Sequence, residues 1–197
     1  MARPVIAATA NQASAVTNLD TTTRMRRRMA DKHFFIPGTM QGSRRDNIDV
    51  DQTYRREIES IIHECFPDAT VHCPGRLMKQ KLASQEAGIR DVLHTLTDQP
   101  TVNPLALPAS IQALTACFHE LTDLAGQCDV CIACLPNHQA SMGTAIEIYS
   151  AWQQGRTVIA VTDMVRNLAM LSCCTHIVRN FGDLRTLLLD MRDQPFG

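Results

Sequence analysis

Apolar residues occur along this chain in two patterns, short continuous runs and longer stretches with helical spacing. The first run, His-Phe-Phe-Ile at 33–36, is ended by Pro37 and Gly38 and predicts a buried strand. Four more runs predict strands at 69–73, 129–135, 157–162 and 176–179. Because stretches of helical length separate these runs, we expect neighbouring strands to be parallel.

Apolar residues that recur every three or four positions predict the helices between the strands. The first helix follows a polar loop at 39–51, can be capped by Asp51 or Thr53, and closes at 66–68. Further helices are predicted at 77–96, 109–125, 143–154 and 183–191. The alternation predicts one α/β domain over 32–197, a Rossmann-like (flavodoxin-like) doubly wound parallel sheet of about five strands.

Length and composition fit a single domain and favour a small ligand. The 197 residues are 45% hydrophobic, which is enough to fill one core. Acids and bases are interspersed and the net charge is −1, so no broad cationic face for nucleic acid is expected. No apolar run is long enough to span a membrane and no secretory signal is apparent, which favours a cytoplasmic protein.

The first 31 residues differ from the rest because they lack a strong apolar period. They contain a basic cluster at Arg24 and 26–28, and we interpret them as a mobile arm. The cluster either contacts an acidic partner such as RNA or is simply solvated.

The chain contains eight cysteines, three of which follow a C-x-x-C-x-x-C spacing. Cys128, Cys131 and Cys134 form this string, but no second Cys/His set follows at zinc-finger spacing. Residues three apart on a strand face opposite sides, so we expect reduced, mostly buried thiols and not a metal site. No metal or other cofactor is predicted.

The loop and helix start after the strand at 129–135 carry the strongest chemical signal. Ser141 and Gly143 lead into a helix that carries Glu147 about one turn inside. Amides at such a helix start attract anions, and the helix dipole favours an ionised carboxylate, which is a ready nucleophile. A second polar loop at 38–43 reaches the same sheet edge, where ligands bind in doubly wound folds.

The residues of both loops resemble a known enzyme family. Gly-Thr-Ala-Ile-Glu-Ile at 143–148, Ala151, and Gly-Arg-Thr-Val at 155–158 are similar to the G-T-x-x-E-h…A…G-K-P-V signature of nucleoside 2-deoxyribosyltransferases and related nucleoside 5'-monophosphate N-glycoside hydrolases. Phe-Ile-Pro-Gly-Thr-Met-Gln-Gly at 35–42 resembles the hydrolases' Tyr-x-x-Gly-Ser-x-Arg-Gly loop. The resemblance spans about residues 33–190.

This resemblance implies that Glu147 attacks the anomeric carbon of a nucleotide sugar, expels the base and leaves a glycosyl ester for water or a second base. Ser141 stands where the hydrolases have a serine and the transferases an acid, which implies a 5'-monophosphate substrate. Asp123, two residues closer to the strand than the pattern has its acid, either assists the leaving base or is a surface acid. Asn167 resembles a position that reaches into a neighbouring subunit's site, which implies a homodimer.

Two residues of the first loop depart from the family pattern. Phe35 replaces a tyrosine and Gln41 an arginine, with the arginines at 44–45 or Tyr54 as candidate substitutes. His138 in the site loop is a candidate acid or phosphate partner. The remaining contacts to substrate or phosphate are expected from Gly38, Thr39, Gly42, Ser43, Gly143 and Thr144.

Two other interpretations stay open at this point. One is a non-catalytic nucleotide-binding or sensor module that kept the fold. The other is a lysine-decarboxylase-like phosphoribohydrolase, whose P-G-G-x-G-T-x-x-E loop is partly matched although this chain lacks the Gly-Gly pair. The sequence defines neither the base nor the sugar of the substrate.

Overall fold

A computed structural model describes residues 32–39, 53–96, 98–136 and 139–193. The strands are β1 (His33–Phe35), β2 (Thr70–His72), β3 (Val130–Cys134), β4 (Thr157–Val161) and β5 (His176–Val178). All pairs are parallel, in the order β2-β1-β3-β4-β5. The predicted doubly wound parallel sheet of five strands is confirmed.

Helices connect the strands and cover both faces of the sheet. In the described residues they are α1 (Thr53–Cys65), α2 (Pro74–Leu82), α3 (Glu86–Leu96), α4 (Ala109–Gln127), α5 (Met142–Gln153), α6 (Leu168–Cys173) and α7 (Phe181–Asp193). None of these described helices combines the length and apolar character needed to cross a membrane. The arm predicted at 1–31 lies outside the described residues.

Two apolar cores form, one on each face of the sheet. Val130, Ile132 and Cys134 of β3 point to the face covered by α1 and α7. Cys131 and Ala133 point to the opposite face, which α4 and α5 cover. All five residues of β3 are buried because helices cover a parallel strand on both sides.

Two helical features differ from the prediction. The stretch at 77–96 is divided by a 3-10 turn at Ala83–Gln85, and its first helix begins earlier, at Pro74. Proline suits a first helical turn because it lacks an amide that would stay unpaired there. Helix α6 was missed because only Met170 of its six residues is buried, so it has no apolar period. Asn167 caps α6 by accepting two backbone amides.

Candidate active site

The carboxyl ends of β1 and β3 form the switch point of the sheet. After β1 the chain passes to α1 on one face, and after β3 it passes to α5 on the opposite face. Gly38 extends β1 through a parallel bridge to Cys134 at the end of β3. Doubly wound folds bind their ligands in the crevice at such a point, and both predicted site loops start here.

Ser141 is the N-cap of α5. Its Oγ accepts hydrogen bonds from the Thr144 amide at 3.3 Å and from Thr144 Oγ1 at 3.0 Å. The Phe118 ring of α4 packs beside Gly143, where an added Cβ would lie 3.4 Å from the ring in ordinary van der Waals contact. Since Ser141 Oγ acts only as an acceptor in these bonds, its own proton is available to an anionic ligand.

Glu147 lies in the second turn of α5 and is 5% exposed. Its carboxyl makes no hydrogen bond or ion pair with another described residue. Burial raises the pKa of this carboxyl to about 8, and the Arg55 guanidinium partly opposes the increase. The carboxyl in turn adds to the effect of burial on the Cys131 thiol of β3, whose pKa is raised. Glu147 is therefore a buried acid near the sheet with a strongly shifted pKa, a common property of functional groups.

Arg55 is a second buried charged residue at this edge, and the sequence prediction missed it. It lies in the first turn of α1 and is 4% exposed. Its Nη1 donates to the Ile36 carbonyl, and its Nη2 donates to the Gly38 carbonyl at 2.9 Å. The sequence does indicate that Arg55 is buried, because Arg55 precedes Ile58 and Ile62 at helical spacing and therefore shares their buried face.

Gly38 and Thr39 follow β1, and Gly38 continues the parallel pairing with β3 through its bridge to Cys134. A Cβ at residue 38 would overlap the Tyr54 hydroxyl, so the site admits only glycine without rearrangement. Burial raises the pKa of Tyr54 to about 12, although the nearby Arg55 guanidinium opposes the increase, so the hydroxyl stays protonated. Thr39 is also buried.

Phe35 is fully buried on the side of the sheet that carries Glu147. Its ring belongs to the apolar cluster that contains Ile148 of α5, and its backbone pairs with Cys131. A phenyl ring offers no hydroxyl to the carboxyl. Tyr54 does not take its place, because its ring packs against the core on the opposite face.

The candidate acid Asp123 is exposed, whereas Glu147 is buried. Asp123 is exposed on α4, where the neighbouring Thr122 accepts a hydrogen bond from Ser150 of α5 at 2.8 Å. The position two residues earlier, where the family pattern has its acid, is Leu121, which is 2% exposed in the apolar core. A leucine cannot donate a proton to a leaving base.

Asn167 lies after β4, beside an open depression of ≈ 500 Å³ lined by residues 163–167. Its Oδ1 is engaged in the cap of α6, so its Nδ2 group is available to another partner.

Thr162, which the sequence analysis did not single out, donates to the Leu135 carbonyl at 3.0 Å. This hydrogen bond joins the ends of β3 and β4.

Several predicted contacts lie outside the described residues, namely Gln41, Gly42, Ser43, the arginines at 44–45 and His138. Among the residues that are described, no three His, Cys, Asp or Glu side chains are grouped to hold a metal ion. The eight cysteines are free, and six of them are buried. These observations define an α/β protein with a buried carboxyl on α5, the helix that follows β3.

Neither a protein-family model nor a curated protein matches this chain. Similar solved structures include a 2-deoxyribosyltransferase of Bacillus psychrosaccharolyticus, at 13% identity and a TM-score of 0.47, with 79% of this chain and 95% of that chain covered. A conserved protein of Enterococcus faecalis has 15% identity and a TM-score of 0.44, with 81% and 98% covered. A CMP N-glycosidase of Clostridium botulinum has 16% identity and a TM-score of 0.38, with 80% and 98% covered. We therefore base the functional proposal on this chain's own residues.

Proposed function

We propose that this protein cleaves or exchanges the N-glycosidic bond of a nucleoside 5'-monophosphate through Glu147. The observation that carries this proposal is the carboxyl of Glu147 on α5, which is 5% exposed and forms no hydrogen bond or ion pair with another described residue. Burial of an unpaired carboxyl is costly, so a role in the site accounts for its presence better than a role in packing. The motif at 143–148, with its resemblance to deoxyribosyltransferase-like enzymes, supplies the reaction type.

In the first step Glu147, which is ionised above its pKa of about 8, forms a bond from a carboxylate oxygen to C1' of the sugar while the C1'–N bond breaks. The electron pair of that bond leaves with the base, which takes up a proton from solvent. Water then adds to C1', loses a proton and releases the Glu147 carboxylate, giving the sugar 5-phosphate. A second base in place of water gives exchange. A carboxylate suits both steps because positive charge develops at C1' in the transition state.

The test is the release of free base from a panel of nucleoside 5'-monophosphates and the matching nucleosides, measured by chromatography. We expect release from at least one monophosphate and a loss of about 10³-fold or more in E147Q. D190N is the matched control, since Asp190 is an exposed acid on α7. Binding without release of base by the wild-type protein would refute the enzymatic function. A labelled free base in the same reactions distinguishes exchange from hydrolysis.

We further propose that the start of α5 binds the 5'-phosphate, with Thr39 and Ser43 as additional donors. The support is the available proton of Ser141 and the anion-binding tendency of a helix N-terminus. S141D keeps a capping oxygen but places a negative charge at the phosphate. We expect it to weaken monophosphate binding about tenfold or more and to change nucleoside binding little. S84D, at an exposed residue of the 3-10 turn, controls for added charge, and equal effects on both ligands would contradict the phosphate site.

A non-catalytic nucleotide-binding module is the second candidate function. The observations that favour it are the phenyl ring at Phe35 and the exposed position of Asp123, which leave Glu147 without the expected hydroxyl and acid. The same panel decides between the two functions, because this module binds a nucleotide in calorimetry and releases no base.

We also propose a cytoplasmic homodimer. Eight free thiols fit a reducing compartment. A large exposed apolar surface, which we name the α5–α6 apolar surface, adjoins Asn167 and fits a contact with a second copy. Its residues are Met142, Ile146, Tyr149 and Trp152 of α5 with Leu168 and Leu171 of α6.

A further inference from the structure

Arg55 is a buried cation whose hydrogen bonds are directed at the backbone of the site. Its guanidinium donates to the carbonyls of Ile36 and Gly38, which connect β1 with the polar loop. Arginine suits this arrangement because its planar group presents several donors in fixed directions, whereas a lysine ammonium acts as a point charge. The two bonds hold the end of β1 against α1.

Arg55 and Glu147 reach the switch point from opposite faces of the sheet. Helix α1 covers the face that contains Phe34, and α5 covers the face that contains Phe35. The guanidinium nevertheless lowers the pKa of Glu147 against the larger effect of burial. Both side chains are buried, Arg55 at 4% and Glu147 at 5% exposure, and they approach the sheet from opposite faces.

We propose that Arg55 is a positioning residue of this site, which fixes the segment at 36–38 as one wall of the crevice and directs positive charge across it towards Glu147. The inference rests on the proposed function and deepens it. Arg55 carries its charge in the first turn of α1, where it is 4% exposed. It acts through Glu147 and the backbone, without a contact to the reacting atoms.

Other titratable groups around α5 do not supply such a charge. The elements that pack against α5 are α4, β3, β4 and α6. Burial raises the pKa of the thiols on α4, β3 and α6, so they stay neutral near pH 7, and β4 has no titratable side chain. The ionisable side chains on α4 and in the loop after β4 are exposed, namely His119, Glu120, Asp123, Asp163 and Arg166.

The test compares R55M and R55K with R56M, which is a matched control because Arg56 is the next residue of α1 and is exposed. Carbon-detected NMR of the full chain, assigned with E147Q, measures the pKa of the Glu147 carboxyl in each variant. We expect this pKa to rise by about one in R55M and to change little in R55K and R56M. Chemical unfolding shows which variants are folded.

Kinetics test the second part of the role. The rate of base release should rise with pH as Glu147 ionises. In R55M the apparent pKa of this rise should increase by the same amount as the pKa measured by NMR. R55K keeps the charge but not the two fixed hydrogen bonds, so we expect its KM to rise about tenfold with an unchanged pH profile. A purely structural role would lower the folded fraction without moving the pH profile.

The outcomes separate this inference from the proposed function. If the wild-type protein releases no base but R55M shifts the titration of Glu147, the proposed function fails and the electrostatic role of Arg55 stands. If R55M and R56M titrate alike, the inference is wrong, whatever the enzyme does. If R55M does not fold, the KM of R55K tests the inference instead. A KM equal to that of the wild-type protein would overturn it.

Discussion

At the level of single residues, the carboxyl of Glu147 couples stability to pH. Its pKa is about 8 in the folded protein against an ordinary value of 4.5, so between these values the native state holds a proton that the unfolded chain has lost. The free energy of unfolding therefore falls as the pH rises through this interval. E147Q removes this dependence, and we expect it to exceed the wild type in stability at pH 9 by a few kcal/mol, on the order of magnitude that such a shift implies.

Urea unfolding of both proteins at pH 5 and pH 9 measures this difference. Buried thiols also titrate in the alkaline range, but they are common to both proteins and cancel in the comparison. D190N changes an exposed acid and should follow the wild type at both pH values. An E147Q variant with the same pH dependence as D190N would mean that Glu147 ionises like a solvated acid.

At the level of elements, the connection from β1 to α1 depends on the absence of a side chain at Gly38. Because a Cβ there meets the Tyr54 hydroxyl, G38A must displace Tyr54 or the turn. We expect G38A to lower the free energy of unfolding by about 1–3 kcal/mol, the usual cost of overpacking. Thermal and urea unfolding measure the effect, and Y54F in the G38A background should recover part of the loss.

Gly88 differs from Gly38 because a side chain at residue 88 would meet no neighbouring atom. It lies exposed on α3 with nothing near its missing Cβ, so G88A should stabilise the protein by about 0.5–1 kcal/mol through helix propensity alone. If G38A and G88A change stability equally, the close approach of Tyr54 to Gly38 is contradicted.

The same elements explain why most of the fold could be predicted from the sequence. β3 and β4 are continuous apolar runs because helices cover both of their faces, and this pattern is visible without any structure. The break at Ala83–Gln85 contains neither proline nor glycine, so no local signal marks it. Helix α6 is held by a single buried residue and its cap, which is too little for a periodic pattern.

The residues of the site could be predicted only in part, because the sequence shows residue types more clearly than the burial of each side chain. Glu147 follows Gly143 and Thr144 at a recognisable spacing, and it is a buried residue of α5. Arg55 stands beside Arg56 after a polar loop, and their chemistry is identical; only helical phase distinguishes the buried one. The role of Asp123 stays a prediction, and its exposure on α4 fits the alternative of a surface acid.

At the level of the whole molecule, the α5–α6 apolar surface predicts association of two copies. We expect W152K to shift the mass measured by sedimentation equilibrium from two copies to one, because a charge in a buried apolar contact is costly. L105K is the control for an added charge, since Leu105 is an exposed apolar residue outside this surface. A wild-type protein that sediments as a single copy would contradict the interface.

A mixing experiment tests whether the second copy completes the site. N167D keeps the oxygen that caps α6 but removes the Nδ2 donor, so its loss of activity would not come from unfolding. If Asn167 serves the neighbouring site, a heterodimer of E147Q and N167D contains one site with both Glu147 and Asn167. Equal amounts of the two inactive proteins, exchanged by mild denaturation and refolding, should then recover about a quarter of the wild-type rate of base release. If each site uses its own Asn167, no heterodimer contains an intact site, and the mixture stays as inactive as its components.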